Sequence, residues 1–259
     1  MRNTLAGLVL VAALLPLGGC SVYNAAYTSL TTTSSAPAVD PFASERPTTA
    51  AVGVTMPDMK DFLHPWDVQT YIERVTEFAG LPAMNDGAAF VGDSLTDYGR
   101  WSEAYPALRV RNFGIAGDTT VGLLHRVSQV IDARPTSIYL MIGTNDLEYG
   151  RTPAEIAANV ELILDKFAAG LPNATVYVEN ILPREKQYSE RVIALNTLLK
   201  AAADKRHLKY FDLYSHFVTA DGTLDPTVTV SGLHLAGKGY ERWRSVINNA
   251  MYFRDEKGG

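Results

Sequence analysis

Residues 137–147 read SIYLMIGTNDL. From Ser137 to Ile142 an extended chain would be apolar on both faces, and a glycine follows at once. A strand with one solvated face alternates polar and apolar residues. One that is apolar throughout must be covered on both sides, as strands of parallel sheets are. The same kind of short apolar run recurs in GAAFVGDS (87–94), LRVRNFG (108–114), TVYVENI (175–181) and LKYFDL (208–213).

Between these runs the period changes to that of a helix. Residues 67–80 carry Val68, Tyr71, Ile72, Val75 and Phe78 at spacings of three and four. Residues 118–132 are expected to bury Val121, Leu124, Val127 and Ile131. Residues 152–170 open with Thr152 as N-cap, Pro153 at the first helical position and Glu155 completing a capping box, and Gly170 is the expected stop. Helices are also expected over 188–205 and 239–253, the last with a stripe of Tyr240, Trp243, Ile247 and Met251. Five strands alternating with helices predict an α/β fold, a parallel sheet with helices on both faces. In such sheets the binding site lies at the carboxyl ends of the strands.

The 259 residues are 47% hydrophobic and 20% charged, which suffices for one domain with an adequate core. A net charge of −5 argues against a nucleic-acid partner, because phosphate backbones call for a basic face. No group of His, Cys, Asp and Glu shows metal-ligand spacing, so neither a metal nor another cofactor is expected. Arg2 followed by the apolar stretch Thr4–Leu17 reads as a signal segment, since a spanning helix needs about 20 such residues. Leu17–Cys20, LGGC, resembles the lipobox of bacterial lipoproteins, which implies lipidation of Cys20, the only cysteine. The expected organisation is a lipoprotein signal peptide over 1–19, a Ser/Thr/Pro-rich flexible tether over 20–57, and a folded domain over 58–259. The expected address is the bacterial cell envelope, facing the periplasm and held to the outer membrane by the lipid.

Four stretches fall where the carboxyl-end rule looks. The first strand runs into GDS, with Ser94 at the turn. The second ends in NFGIAGDTT, with Gly114 and Gly117. The third ends in GTND, with Asn145, and His234 lies in SGLH before the last helix. A serine hydroxyl becomes a nucleophile when histidine takes its proton. The oxyanion that forms on an ester then needs fixed donors. The backbone N–H groups of Ser94 and Gly117 and the Asn145 amide would provide them.

In order and spacing, GDSLTD, NFGIAGDTT, GTND and GLH resemble the blocks of the GDSL/SGNH hydrolase family. The second block is most similar to the platelet-activating-factor acetylhydrolase-like branch. The resemblance covers about residues 65–252. It implies a three-layer α/β/α sandwich with a flavodoxin-like, five-stranded parallel sheet, and hydrolysis of carboxylic esters through an acyl-serine. Residue by residue it implies Ser94 as nucleophile, Gly117 and Asn145 as oxyanion-hole residues, His234 as base, and a structural Asp93. It implies an acyl group that is short, such as acetyl, on a small-molecule, polysaccharide or lipid ester. Tyr98, Trp101 and Leu147 are candidates for lining the acyl pocket.

One position departs from the pattern. The family ends D-x-x-H, the aspartate holding the second ring nitrogen, whereas this chain has Ser231-Gly232-Leu233-His234. Such a carboxylate fixes the tautomer and stabilises the imidazolium. Three accounts are open. Ser231, a water or a main-chain carbonyl orients the ring. A carboxylate elsewhere in the loop, Asp225 or Asp221, substitutes. Or the protein is a weakened relative that binds esters or glycans without efficient turnover.

Overall fold

The computed structural model describes residues 53–62 and 64–255. The expected signal segment, Cys20 and most of the expected tether lie outside the described residues. Val54, from the end of that tether, is buried among core residues.

The five apolar runs form β1 (Ala88–Gly92), β2 (Val110–Gly114), β3 (Ser137–Met141), β4 (Thr175–Glu179) and β5 (Lys209–Phe211). They pair in parallel in the order β2-β1-β3-β4-β5. The helices are α1 (Pro65–Gly80), α2 (Ser94–Asp97), α3 (Trp101–Ala104), α4 (Thr120–Ala133), α5 (Thr144–Glu148), α6 (Pro153–Gly170), α7 (Ser189–Lys205), α8 (Tyr214–Phe217) and α9 (Gly237–Asp255). With helices flanking the sheet, the fold is the expected three-layer α/β/α sandwich. The strand order reverses at β1, which has β2 on one side and β3 on the other. The carboxyl ends of these strands therefore open a crevice at the switch point.

Burial follows from pattern in most places. Every residue of β1 is buried, as its apolar run requires. On one face of the sheet the rings of Phe90, Tyr139 and Tyr177 stand on register-paired residues, with centroids 4.6 and 4.7 Å apart. Phe211 extends the ladder at 5.1 Å, and Trp101 of α3 stacks on Phe90 at 4.1 Å. Trp243 of α9 meets Trp101 edge-on at 5.0 Å. Each such pair adds about 0.5–1.5 kcal/mol beyond the area it buries. The Trp243 indole N–H donates to Glu179 Oε1 at 2.9 Å, and burial pushes that carboxyl up to about 8.

One local expectation is corrected. Of the face expected on α4, only Val127 is buried; Leu123, Arg126 and Val130 accompany it. The apolar stripe is rotated because an ion-paired arginine takes a core position. Gly170 is the last residue of α6, as expected, although the cap that follows is Leu171 at φ −135° rather than a left-handed turn. Gly170 is also a site of close approach, where a Cβ would come within 2.7 Å of Ile131. The capping box of Thr152 and Glu155 forms as expected.

Candidate active site

β1 runs directly into the turn that carries Ser94. Asp93 caps α2, its Oδ1 accepting the Leu95 N–H at 3.0 Å. Its Oδ2 is buried without a hydrogen-bond partner among the described residues, and burial pushes the carboxyl up to about 7. Ser94 is the first residue of α2, so its own N–H has no partner within the helix. The turn is tied down from three directions. The Asn112 amide reaches the carbonyls of Thr96 and Asp97, each at 2.9 Å. The Trp101 indole N–H donates to Thr96 O at 2.7 Å, and the Tyr240 hydroxyl to Leu95 O at 2.9 Å. Gly114 is needed for packing, since a Cβ there would stand 2.2 Å from the Asp97 nitrogen.

The loop after β2 supplies Gly117, at φ +79°, a conformation that favours glycine. A Cβ at Gly117 would also meet Asp67 Oδ1 at 2.6 Å. Asn145, after β3, is anchored to this loop: its Nδ2 donates to Asp118 O at 2.8 Å, which leaves the second N–H of that amide for another acceptor. Beneath the loop lies Arg126, wholly buried. Its Nε donates to Asp118 Oδ2 at 2.8 Å, one terminal nitrogen to Phe113 O at 2.9 Å and the other to Gly92 O at 3.1 Å. One guanidinium thus binds the carboxyl ends of β1 and β2 to the Gly117 loop. Burial raises the Asp118 carboxyl to about 6, against the pull of Arg126. Asp146 fastens the start of α4, accepting Thr120 N–H at 2.9 Å and its hydroxyl at 2.6 Å.

His234 comes from 140 residues away to meet this turn: Ser94 Oγ and His234 Nε2 are 2.9 Å apart. That is the geometry in which an imidazole can take a hydroxyl proton. Burial and the nearby Arg184 guanidinium hold the His234 pKa below its usual value, opposed by Glu148 and Glu185. A lowered pKa keeps the ring neutral, the form a base requires. The Tyr98 ring, 53% exposed, lies 5.4 Å from the imidazole and lines the approach to it. Trp101 and Leu147 do not, because both are buried in the core.

Neither candidate carboxylate holds the ring. Asp225 accepts from Arg242 at 2.7 Å and from Thr227 N–H and hydroxyl at 2.8 and 2.7 Å, and is held down at about 2. Asp221 is engaged by Thr219 and Thr223. Ser231 serves the backbone: its Oγ accepts the N–H of Leu233 at 3.3 Å and of His234 at 3.0 Å. Thr229 completes the loop, its hydroxyl donating to His234 O at 2.6 Å and accepting the N–H of Ser231 and Gly232 at 3.2 and 3.1 Å. Among the described residues no hydrogen bond is formed by His234 Nδ1.

Two arginines beside the site escape a reading of pattern. Arg126 sits on an otherwise apolar helix face, where a charge signals a buried partner. Arg184 follows β4 and is 2% exposed in its side chain. It donates to Thr144 O at 2.9 Å, Glu148 Oε2 at 3.0 Å and Glu185 Oε2 at 3.3 Å, with its guanidinium 4.1 Å over the Tyr188 ring. No spacing in the sequence announces it.

Comparison with known proteins bears on the family and the fold. The model of the GDSL-like Lipase/Acylhydrolase family matches residues 90–242, more than half of the chain. Platelet-activating factor acetylhydrolase IB subunit alpha2 of Gallus gallus is 34% identical over 163 residues, covering 59% of this chain and 70% of that protein. The Homo sapiens protein of that name is 32% identical over the same length, with the same coverage. Among solved structures, a GDSL-like lipase from Bacteroides thetaiotaomicron superposes with a TM-score of 0.59 at 22% identity, covering 71% of this chain and 98% of that one. A mutant of an acetyl-xylooligosaccharide esterase from Geobacillus superposes with a TM-score of 0.53 at 18% identity, covering 64% and 93%. At these identities the two structures speak for the fold alone. The family match carries the assignment: the chain belongs to the GDSL-like lipase/acylhydrolase family and is a hydrolase.

Proposed function

We propose that the protein is a serine esterase that hydrolyses short-chain acyl esters, acetyl esters foremost, through an acyl-enzyme on Ser94. The observation that carries this reading is the 2.9 Å contact between Ser94 Oγ and His234 Nε2. His234 Nε2 takes the hydroxyl proton as Ser94 Oγ bonds to the ester carbonyl carbon. The resulting oxyanion is met by the N–H groups of Ser94 and Gly117 and by the Asn145 amide. The imidazolium then returns its proton to the leaving alkoxide, leaving acyl-serine. A water, deprotonated by the same nitrogen, releases the carboxylic acid and restores the hydroxyl. The second sequence block supports an acetyl substrate, as do the names of the acetylhydrolase and acetyl-xylooligosaccharide esterase relatives. LGGC at Leu17–Cys20 supports a lipid anchor on Cys20 and an envelope address facing the periplasm, where acetylated polysaccharide or lipid esters would be met.

Rates on p-nitrophenyl acetate, butyrate and octanoate test this reading, with Ser94→Ala and His234→Ala alongside. The acetate ester should turn over fastest, and either substitution should lower kcat by about 10⁴ or more. A wild type no faster than Ser94→Ala on every ester contradicts the mechanism and favours a non-catalytic binding protein. An optimum at octanoate contradicts the acyl length only. Incorporation of labelled palmitate, lost in Cys20→Ser, is the expected result for the anchor.

A further inference from the structure

A base acting through Nε2 must carry its proton on Nδ1, and that proton needs an acceptor once the ring becomes imidazolium. The loop that carries His234 offers no carboxylate for this. Position 231 is a serine occupied with backbone N–H groups, and Asp225 and Asp221 are committed to Arg242, Thr219, Thr223 and Thr227. The neighbouring segment after β4 does offer one. Glu185 lies against the histidine loop, its Cγ 3.5 Å from where a Cβ at Gly232 would stand. Gly232 is at φ +80°, a left-handed conformation, between Ser231 and His234.

Glu185 belongs to a cluster with a purpose. Arg184 is fixed by Thr144 O, Glu148 and the Tyr188 ring. Its contact with Glu185, 3.3 Å, is the longer of its two ion pairs among the described residues, and the Glu185 side chain is 41% exposed. A lone buried arginine beside a catalytic imidazole would oppose protonation of the ring. Glu148 and Glu185, the two carboxylates paired with that guanidinium, oppose this effect. Among the described residues, the charged groups that act on His234 are Arg184, Glu148 and Glu185, beside the neutral Ser94 hydroxyl and Tyr98 ring, and of these only the glutamates favour imidazolium.

Resting on the esterase reading above, we propose that Glu185 is the positioning carboxylate of His234, replacing from the β4–α7 connection the aspartate that the loop lacks at position 231. In the ground state Glu185 is paired with Arg184. As Ser94 attacks and the ring gains its proton, the Glu185 carboxylate accepts Nδ1–H, while Glu148 remains on Arg184 and neutralises it. Glu185 touches no substrate atom; it acts through the histidine.

The test is a double-mutant cycle on p-nitrophenyl acetate with wild type, Glu185→Gln, Ser231→Asp and the double variant, each with a full pH profile and a melting temperature. Glu185→Gln should lower kcat about 10- to 100-fold, short of the about 10⁴ lost in a fully buried triad. KM should stay within about twofold and Tm should be unchanged, as for other exposed side chains. Removing a negative charge lowers the base's pKa, so the acid limb of kcat/KM should move to lower pH. Ser231→Asp should restore the Glu185→Gln enzyme while raising wild type far less. Four results would overturn the proposal: wild-type kcat and an unmoved acid limb in Glu185→Gln, equal gains from Ser231→Asp in both backgrounds, a loss confined to Glu148→Gln, or a fall in Tm that accounts for the loss. If Ser94→Ala is as active as wild type, the esterase reading itself fails. Full dependence on Ser94 with a silent Glu185→Gln fails this proposal alone.

Discussion

The turn that carries Ser94 and the loop that carries His234 are held in opposite ways. At the turn, hydrogen bonds reach in from far along the chain. Arg126 reaches Gly92, Asn145 reaches Asp118, and Tyr240 reaches Leu95. At the loop, Thr229 and Ser231 bond only to residues within five positions, and Val230 at its tip is 94% exposed. The proposed nucleophile and oxyanion donors are therefore set by the core, and the proposed base by local capping. Such loops occupy the low-stability end of a fold. Local capping fixes the backbone of His234 and brings Nε2 to Ser94. It does nothing for Nδ1, which must look to a neighbouring element.

The contrast can be broken first at its rigid end. Arg126→Met removes the only ion-pair partner that buried Asp118 has among the described residues, a loss on the order of 3–5 kcal/mol. We expect Tm to fall by roughly 10 °C and activity to vanish, because the Asp118 carbonyl also anchors Asn145. A variant that melts like wild type would mean the turn does not depend on this guanidinium. At the loose end, Thr229→Ala removes the hydroxyl that closes the loop on His234 O. The expected result is kcat down about 5- to 10-fold with Tm within about 3 °C, the size of one hydrogen bond lost locally. A Tm loss as large as that of Arg126→Met would erase the distinction.

The smallest effect concerns Glu179, which anchors α9 through Trp243. Its folded pKa of about 8 exceeds the ordinary 4.5, so the folded state holds this proton longer than the unfolded chain. Stability should decline as pH rises between those values. Glu179→Gln, which keeps an acceptor without the charge, should flatten the dependence of Tm on pH between 5 and 8. An unchanged slope would show that the carboxyl ionises in place without cost.

The sheet was legible because both-face burial leaves uninterrupted apolar runs, and GAAFVG, SIYLM and TVYV are such runs. The four blocks were legible because each sits at the carboxyl end of a strand or in the loop before the last helix. The helices α3, α5 and α8 are too short for a 3.6-residue period to declare itself. The face of α4 was misread because Arg126 is made apolar in effect by Asp118, a pairing that exists only in the fold. For the same reason Glu185 was invisible: 49 residues separate it from His234 in the sequence, and only the packing of two connections brings their loops together.

The central claim is that Ser94, activated by His234, is the nucleophile. The most direct measurement is intact and peptide mass spectrometry after reaction with diethyl p-nitrophenyl phosphate. The account predicts one diethylphosphoryl group per chain, on Ser94, absent in Ser94→Ala and formed far more slowly in His234→Ala. No adduct on the wild type, or an adduct on another residue that persists in Ser94→Ala, would contradict it.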